Sequence, residues 1–164
     1  MPVRLVATFV LVAAVTAVHA ANPLQLQWLG QSGVKLTSPS GEVIVIDPFI
    51  KGNPVLPERH RDLDAVGPVD LILVTHAHGD HWGDTPELAR MTDAPVALNA
   101  DFGNTIRTLD ILPGEQLIRF NKSGPIRPLG DGITVTMVHA EHSSDFVHEG
   151  AVHPGGEPAG YIIE

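Results

Sequence analysis

Three histidines and one aspartate fall within six consecutive positions near the middle of the chain, namely His76, His78, Asp80 and His81. Imidazole nitrogens and carboxylate oxygens are ligands for divalent ions such as zinc, and the chain contains no cysteine to supply sulfur instead. Because His76 and His78 are two positions apart, their side chains project to the same side of an extended backbone and can hold one ion. Asp80 and His81 follow Gly79, where the chain can turn sharply, and can therefore reach a second ion beside the first.

The chemistry that two adjacent ions support is hydrolysis. Divalent ions that share a water lower its pKa towards neutrality and produce metal-bound hydroxide, a nucleophile that no unassisted side chain of this segment would match. A histidine-rich surface loop, or a cap for a following helix, is the alternative interpretation. The position favours a metal site, because the four residues directly follow the apolar segment 69–75, in which only Asp70 is charged.

A further ligand has to come from another part of the chain. His139 and His142 both follow an apolar segment predicted to be a strand, and their spacing does not decide between them. His148 and His153 flank Glu149 in a predicted loop, where solvated residues are a simpler interpretation than a substrate lid or extra metal ligands. The residues alone thus predict four clustered ligands and one of two later histidines.

The surrounding sequence predicts a mixed α/β domain. Predicted strands cover residues 24–29, 34–37, 43–46, 69–75, 95–98, 114–120 and 133–138, and a last strand begins at Tyr161. Predicted helices begin at Asp84 or Thr85 and at Asp101, and residues 51–68 and 148–160 are predicted loops. Strands that alternate with short helices are typical of an α/β or α+β fold, and the strand 69–75 would deliver the chain to His76.

The sequence His76-x-His78-x-Asp80-His81 resembles the signature of the metallo-β-lactamase superfamily, and the resemblance extends over most of the chain after residue 20. Further segments resemble the small metal-dependent hydrolase branch related to L-ascorbate-6-phosphate lactonases, and these are Trp28-Leu29-Gly30, Ile46-Asp47-Pro48-Phe49, Gly52-Asn53-Pro54, Asp70-Leu71-Ile72-Leu73-Val74 and Ala140-x-His142-Ser143-Ser144. The resemblance implies an αββα sandwich of two similar halves. Residues 21–164 would then form a metallo-β-lactamase-like domain that covers roughly the first half and is incomplete at its C-terminus.

The resemblance also implies which later histidine binds metal. In this branch the histidine of the A-x-H-S segment is a metal ligand, which selects His142 over His139. By the same comparison, His76, His78 and His142 form the first metal site. The expected cofactor is zinc, as one or two divalent ions, and manganese, iron or nickel are the other metals that these donors accept.

Asp80 and His81 belong to a second metal site by the same resemblance, and Asp80 also takes the proton destined for the leaving group. Asp47 is implied to lie near the metals and to orient their ligands. Two features depart from the branch. Gln31 stands where a histidine usually follows Gly30, and the segments that normally bring a metal-bridging aspartate, in a G-D-T sequence, and a last histidine are not present. The chain is therefore expected to bind one ion better than two and to expose apolar sheet surface.

The predicted function is hydrolysis of an ester, lactone, amide or phosphoester in a small-molecule substrate by metal-bound hydroxide. Two alternatives stay open at this point. A truncated, catalytically inactive metal-binding module would keep the ligands of one site. An exported β-lactamase is less favoured, because β-lactamases usually place their third histidine in a P-G-H-T/S segment, whereas this chain has Ala140-Glu141-His142.

The first twenty residues have the composition of a secretory signal. Arg4 supplies a positive charge, residues 5–18 form an apolar run, and Val18-His19-Ala20 is a small-x-small cleavage sequence before Ala21. The run is shorter than the ~18 residues that span a bilayer, so no stable membrane anchor is expected after cleavage. The predicted protein is exported, either periplasmic or secreted. Its formal net charge of −9 argues against nucleic acid as a partner, because an acidic surface repels phosphate.

Overall fold

A computed structural model describes residues 22–164, so the secretory signal predicted over residues 1–20 lies outside the described residues. The strands are β1 Gln25–Trp28, β2 Val34–Thr37, β3 Val43–Ile46, β4 Leu71–Leu73, β5 Val96–Asn99, β6 Leu117–Phe120, β7 Pro125–Ile126, β8 Val135–His139, β9 Asp145–His148, β10 Ala151–Pro154 and β11 Ala159–Ile163. The α-helices are α1 Gly79–Trp82, α2 Thr85–Thr92 and α3 Ala100–Thr108, and 3₁₀ turns lie at Glu58–His60, Leu63–Val66 and Gly114–Gln116. None of the helices in this part of the chain has both the length and the apolar composition that a membrane span requires.

Strands β1 to β6 form one sheet in the order of the sequence. β1, β2 and β3 pair antiparallel, and β3 to β6 pair parallel. Parallel neighbours need a crossover connection, which α1 and α2 provide between β4 and β5, and α3 provides between β5 and β6. The carboxyl ends of the four parallel strands therefore meet at one edge of the sheet, where ligand sites of such sheets usually lie.

The large sheet is covered on both faces because its parallel strands are almost continuously apolar. On one face, Ile72 and Val96 belong to the same core as Leu88 of α2 and Phe102 of α3. On the other face packs a three-stranded sheet of order β11-β8-β7. The core between the two sheets consists of Ile44, Leu71, Leu73, Ala97, Phe120, Ile133, Val135, Met137 and Ala159. The predicted α/β class is confirmed, with the layers in the order helices, large sheet and small sheet.

The exposure of the large sheet differs from the prediction at β1 and at its centre. β1 is predicted to be half-buried, yet Leu26 and Trp28 are 67% and 64% exposed. The small sheet packs against β3 to β6, and β1 lies beyond it at the edge of the large sheet. The prediction of a widely exposed apolar sheet surface is wrong for the central strands, because Leu71 and Leu73 are fully buried beneath the small sheet.

The predicted loop 148–160 is wrong in its first part, where β9 and β10 form an antiparallel hairpin with His148 opposite Ala151. Glu149 and Gly150 make the turn with φ of 49° and 78°, as a tight two-residue hairpin turn requires. Asn-Gly and Asp-Gly are the usual sequence signals for this turn. Because Glu-Gly is not among them, the residue pattern does not predict the hairpin.

The beginning of α2 differs from the predicted helix cap. Asp84 directly precedes α2, but its side chain makes no capping hydrogen bond. Its carboxylate instead accepts hydrogen bonds from the backbone N–H groups of Ile50 and Lys51, at 2.7 and 2.8 Å. Asp84 therefore ties the segment after β3, which carries Asp47, to the first turn of α2.

Candidate metal centre

Three residues of the predicted site lie just beyond the ends of strands. Asp47 directly follows β3, His76 follows β4, and His142 follows β8. His78 is the residue immediately before α1. The backbone N–H of Asp47 donates to the carbonyl of Leu73 at 3.0 Å, so the ends of β3 and β4 are held side by side. The candidate centre is thus at the carboxyl edge of the parallel strands.

His76, His78 and His142 converge on one point. One ring nitrogen of each lies within 4.8 Å of the other two. Nε2 of His76 and Nδ1 of His78 are 3.0 Å apart. The ring centroid of His142 is 4.8 Å from that of His76 and 5.1 Å from that of His78, and its plane is nearly perpendicular to both. Across residues 22–164, no other set of three histidine, aspartate or glutamate side chains comes together in this way.

The geometry of these three histidines fits a zinc-like ion. Nitrogen ligands of tetrahedral zinc lie about 2.1 Å from the ion, and therefore about 3.4 Å from one another. His76 and His78 already have nearly this spacing, at 3.0 Å. His142 is exposed on a loop, and its ring nitrogen would have to shift inward by up to about 1.4 Å, the difference between 4.8 and about 3.4 Å, to share an ion with the other two.

Asp47 and Thr75 orient the ring of His76. The Asp47 carboxylate is buried and accepts hydrogen bonds from the backbone N–H and the hydroxyl of Thr75, at 2.8 and 2.6 Å. Because the Thr75 hydroxyl proton points to Asp47, the hydroxyl oxygen accepts from Nδ1 of His76, at 3.1 Å. Nε2 of His76 is then left unprotonated and faces His78, which is the arrangement that metal binding requires.

Asp47 also contacts His81 directly. Its Oδ2 accepts from Nδ1 of His81 at 2.7 Å, which leaves Nε2 of His81 unprotonated. That Nε2 lies 4.0 Å from Oδ2 of Asp80, whose side chain is about half exposed. The rings of His81 and His76 have centroids 3.9 Å apart. Asp80 and His81 therefore lie directly beside the three-histidine group, where a second ion would be a neighbour of the first.

The electrostatics of the cluster keep His76 neutral. Burial, followed by the positive charges that His81 and His78 would carry, lowers the pKa of His76 to about 4, and the Asp47 carboxylate opposes this shift. At neutral pH the ring of His76 therefore has no proton on the nitrogen that faces the group, and its lone pair is available.

We expect the stability of the metal-free chain to fall as the pH drops from 6.5, the ordinary pKa of histidine, to about 4. His76 has the lower pKa in the folded chain, so the unfolded chain binds more protons in this window and gains free energy relative to the folded one. The contribution is complete above pH 6.5 and is lost as the pH falls to the folded-state value. Denaturant unfolding with a chelator present measures the effect. The His76→Gln variant should show a flatter dependence, and an unchanged dependence would contradict the prediction.

Ser144 fastens the segment that carries His142. Its hydroxyl donates to the carbonyl of Gly155 at 3.0 Å and accepts from the backbone N–H of Ala77, between the two first histidines, at 3.2 Å. The N–H of Gly155 donates back to the carbonyl of Ser144 at 3.1 Å. A Cβ atom at Gly155 would overlap the Ser144 carbonyl oxygen and lie 2.5 Å from Cβ of Ala77. Glycine is therefore required for this close approach.

Replacing Gly155 with alanine is expected to destabilise the chain by about 1–3 kcal/mol, because the added methyl group displaces Ser144 or the backbone of Ala77. Zinc affinity should fall at the same time, since Ser144 positions the His142 segment. The denaturant midpoint and a zinc titration measure the two effects. Gly132→Ala is the matched control, because Gly132 has no atom within 4 Å of an added Cβ. Equal behaviour of the two variants would contradict the prediction.

The remaining candidate histidines lie outside the three-histidine group. His139, the alternative third ligand, is exposed and contacts Nζ of Lys122 at 3.1 Å. His148 and His153 lie on the hairpin beside Phe146, with ring centroids 5.7 and 6.3 Å from that of the phenyl ring. These contacts place neither hairpin histidine with the predicted ligands.

Three residues that shape the centre are not predicted from the sequence. They are Thr75, Ser144 and Tyr161. Tyr161 donates its hydroxyl proton to the carbonyl of Val74 at 2.5 Å, and burial raises the pKa of this phenol far above its usual range. Thr75 and Ser144 adjoin predicted segments, but no spacing rule distinguishes a positioning hydroxyl from any other threonine or serine.

The sequence of this chain is similar to that of a known domain family and of several named proteins. Residues 42–164 match the sequence profile of the β-lactamase superfamily domain. A UPF0173 metal-dependent hydrolase of Cupriavidus taiwanensis is 49% identical over an alignment of 152 residues, which covers 88% of this chain and 53% of that protein. The chain spans about half the length of the curated relatives it matches.

Two solved structures of named proteins are similar to the fold of this chain. Igni18, a metallo hydrolase from the archaeon Ignicoccus hospitalis, is similar with a TM-score of 0.70 and 29% identity, over 86% of this chain and 55% of that one. The Rm3 metallo-β-lactamase is similar with a TM-score of 0.51 and 18% identity. The match covers 76% of this chain and 54% of the Rm3 chain. At that identity the second likeness concerns the fold alone.

Proposed function

The chain belongs to the β-lactamase superfamily, and from this premise we propose that it takes part in metal-dependent hydrolysis of an ester, lactone, amide or phosphoester in a small-molecule substrate. The observation that carries the proposal is the convergence of ring nitrogens from His76, His78 and His142 at the carboxyl edge of the sheet. Relatives named metal-dependent hydrolases support the same class of reaction.

Each candidate ligand has a proposed role. His76, His78 and His142 hold the first ion, and Asp80 and His81 contribute to a second. When bound, the ions supply Lewis acidity at the scissile group and lower the pKa of water towards neutrality. Zinc is the proposed metal, because imidazole and carboxylate donors suit it, and manganese, iron and nickel accept the same donors.

The other residues of the centre orient the ligands and move protons. Asp47 holds His81 directly and His76 through Thr75, so that the unprotonated Nε2 atoms of both histidines remain available for metal. Asp80 is half-exposed and near His81, which suits a carboxylate that passes a proton to the leaving group.

The test combines metal content and turnover of the same preparation. The full chain, purified without chelator, is analysed for metals and assayed against a panel of simple esters, lactones, amides and phosphoesters. We expect bound zinc and turnover that disappears with a chelator and returns with zinc. His78→Ala should abolish both, whereas His60→Ala, which changes an exposed histidine outside the centre, should abolish neither. A zinc-loaded chain without turnover on any substrate would overturn the proposal.

An inactive metal-binding module is the second candidate function. It is favoured by one observation, namely that the group formed by His76, His78 and His142 is the one three-ligand set within residues 22–164. This candidate predicts one tightly held ion per chain and no hydrolysis. Two tightly held ions with substantial turnover would contradict it.

We also propose that the protein is exported and related to the branch of L-ascorbate-6-phosphate lactonases. The segment Ala140–Ser144 supports the relation, and the composition of residues 1–20 supports a periplasmic or secreted location without a stable membrane anchor. The net charge of −9 supports the absence of nucleic acid among its partners. N-terminal sequencing of exported protein should begin at Ala21, and an intact Met1 would contradict export by cleavage.

A further inference from the structure

A groove of about 370 Å³ adjoins the three-histidine group. Its lining consists of α1 with the residues that flank it, His78 among them, and of the first strand of the hairpin. Trp82 and Phe146 form its floor, where both are almost completely buried. Val147 lies at its outer end and is 66% exposed. The groove thus leads from the candidate metal centre towards solvent, and its lining combines apolar side chains with the polar groups of His78 and Asp145.

The floor of the groove is held by aromatic packing. The rings of Trp82 and Phe146 meet edge to face with centroids 6.2 Å apart, and both contact the buried ring of Phe102 in the same manner, at 5.1 and 5.4 Å. Offset and edge-to-face aromatic pairs of this kind hold one another in place. The floor therefore presents fixed aromatic surface and does not depend on a ligand for its shape.

The groove carries no positive charge. Its lining, among residues 22–164, contains neither lysine nor arginine, and Asp145 supplies its one carboxylate. An anionic group placed against this lining would lose part of its hydration next to a carboxylate and apolar rings, and no lysine or arginine of the lining compensates it. An uncharged apolar group would lose only unfavourable contact with water.

We propose that this groove binds an uncharged apolar part of the substrate, either an aromatic ring or a short alkyl chain, beside the candidate metal centre. The inference rests on the proposed hydrolase function and narrows the substrate class to molecules that carry an uncharged apolar group next to the scissile bond. An apolar cavity of about 150 Å³ accommodates benzene, so this groove is large enough for a phenyl group and several more carbon atoms.

Gly79 allows the groove to be closed by substitution. A Cβ atom there would meet nothing within 4 Å, and the residue is exposed with no positive φ. Because Gly79 is a lining residue, the Gly79→Leu side chain is expected to occupy part of the groove without backbone strain. Gly132→Leu is the matched control. An added Cβ atom at Gly132 also meets nothing within 4 Å, and Gly132 does not line the groove.

The first experiment measures binding without relying on catalysis. The full chain has two tryptophans, and in a Trp28→Phe background Trp82 alone reports quenching by nitroaromatic probes. Neutral 4-nitrobenzyl alcohol should bind at least about tenfold more tightly than anionic 4-nitrobenzoate with metal withheld. Gly79→Leu should weaken the neutral probe by about tenfold or more, and Gly132→Leu should leave it unchanged. If Gly79→Leu does not fold by circular dichroism, Gly79→Ala takes its place, with an expected loss of about threefold.

The second experiment measures hydrolysis in the zinc-loaded chain. We expect kcat/KM for methyl phenylacetate to exceed that for methyl acetate by about tenfold or more, and Gly79→Leu to lower this ratio by a similar factor. Groove binding without any turnover would overturn the hydrolase function and support the groove as an apolar binding site. Turnover with no preference between the two esters, or equal affinity for the neutral and anionic probes, would overturn the groove proposal and leave the hydrolase function standing.

Discussion

Replacing His142 with alanine is expected to weaken zinc binding by roughly 100-fold or more and to remove hydrolysis with it. His142 supplies one of three ring nitrogens that lie within 4.8 Å of one another, and the remaining pair cannot enclose an ion. Replacing a residue that only orients a metal ligand costs about 10- to 100-fold in affinity or activity, so the loss of a ligand should cost more. Competition with a chromophoric zinc chelator measures the affinity directly.

His139→Ala is the control for this prediction. His139 has the same side chain three positions earlier, contacts Lys122 and does not belong to the three-histidine group. It is also the residue that spacing alone leaves as an equal candidate. Its replacement should leave zinc affinity within about twofold of the parent. A larger loss in His139→Ala than in His142→Ala would reverse the assignment of the third ligand.

Replacing Asp47 with asparagine is expected to lower zinc-dependent activity by about 10- to 100-fold. The carboxylate accepts three hydrogen bonds, two from Thr75 and one from Nδ1 of His81. If the amide oxygen keeps the bond to the Thr75 N–H, the amide NH₂ faces His81, whose proton must then move from Nδ1 to Nε2. The nitrogen that should face the metal would then be blocked by a proton.

Asp70→Asn is the matched control for Asp47→Asn. Asp70 also accepts a backbone hydrogen bond, from Val43 at 2.7 Å, but at the opposite end of β3. Its replacement should reduce stability by about 0.5–1.5 kcal/mol and leave zinc affinity unchanged. Metal affinity, turnover and unfolding are measured for both variants. An Asp47→Asn protein with parental metal affinity and turnover would show that the orienting contacts are dispensable.

The sequence predicts which residues lie at the strand ends, but it does not predict the hydrogen bonds that connect those residues. The spacing of His76 and His78 and the apolar segment before them predict two neighbouring donors on one strand end. Asp47 is different, because its side chain reaches Thr75 only when its backbone adopts φ of 48°, a conformation uncommon outside glycine. No residue pattern signals that conformation. The hydrogen bonds of Thr75 are therefore visible only in the structure.

His142 required another kind of information. It lies far along the chain from His76, and its approach depends on the packing of the small sheet against the large one, which local patterns do not encode. The resemblance to a known segment selects His142, whereas residue spacing leaves His139 equally suitable. The same limit applies to Gly155, whose tight contact with Ser144 involves two segments on either side of the hairpin.

The hairpin of β9 and β10 departs from Ser144 and returns at Gly155, and these two residues are hydrogen-bonded to each other. Ser144 is in turn bound to the backbone of Ala77. The base of the hairpin is thus anchored to the segment that carries His76 and His78, while its first strand, β9, lines the groove. Phe146 of the hairpin belongs to the core with Trp82 and Phe102, so substitutions that leave His142 in place are expected at exposed hairpin positions such as Val147. In the proposed hydrolase, changes at such positions would alter which apolar groups the groove accepts and leave the metal ligands in place, so that substrate preference and metal affinity would be adjustable separately.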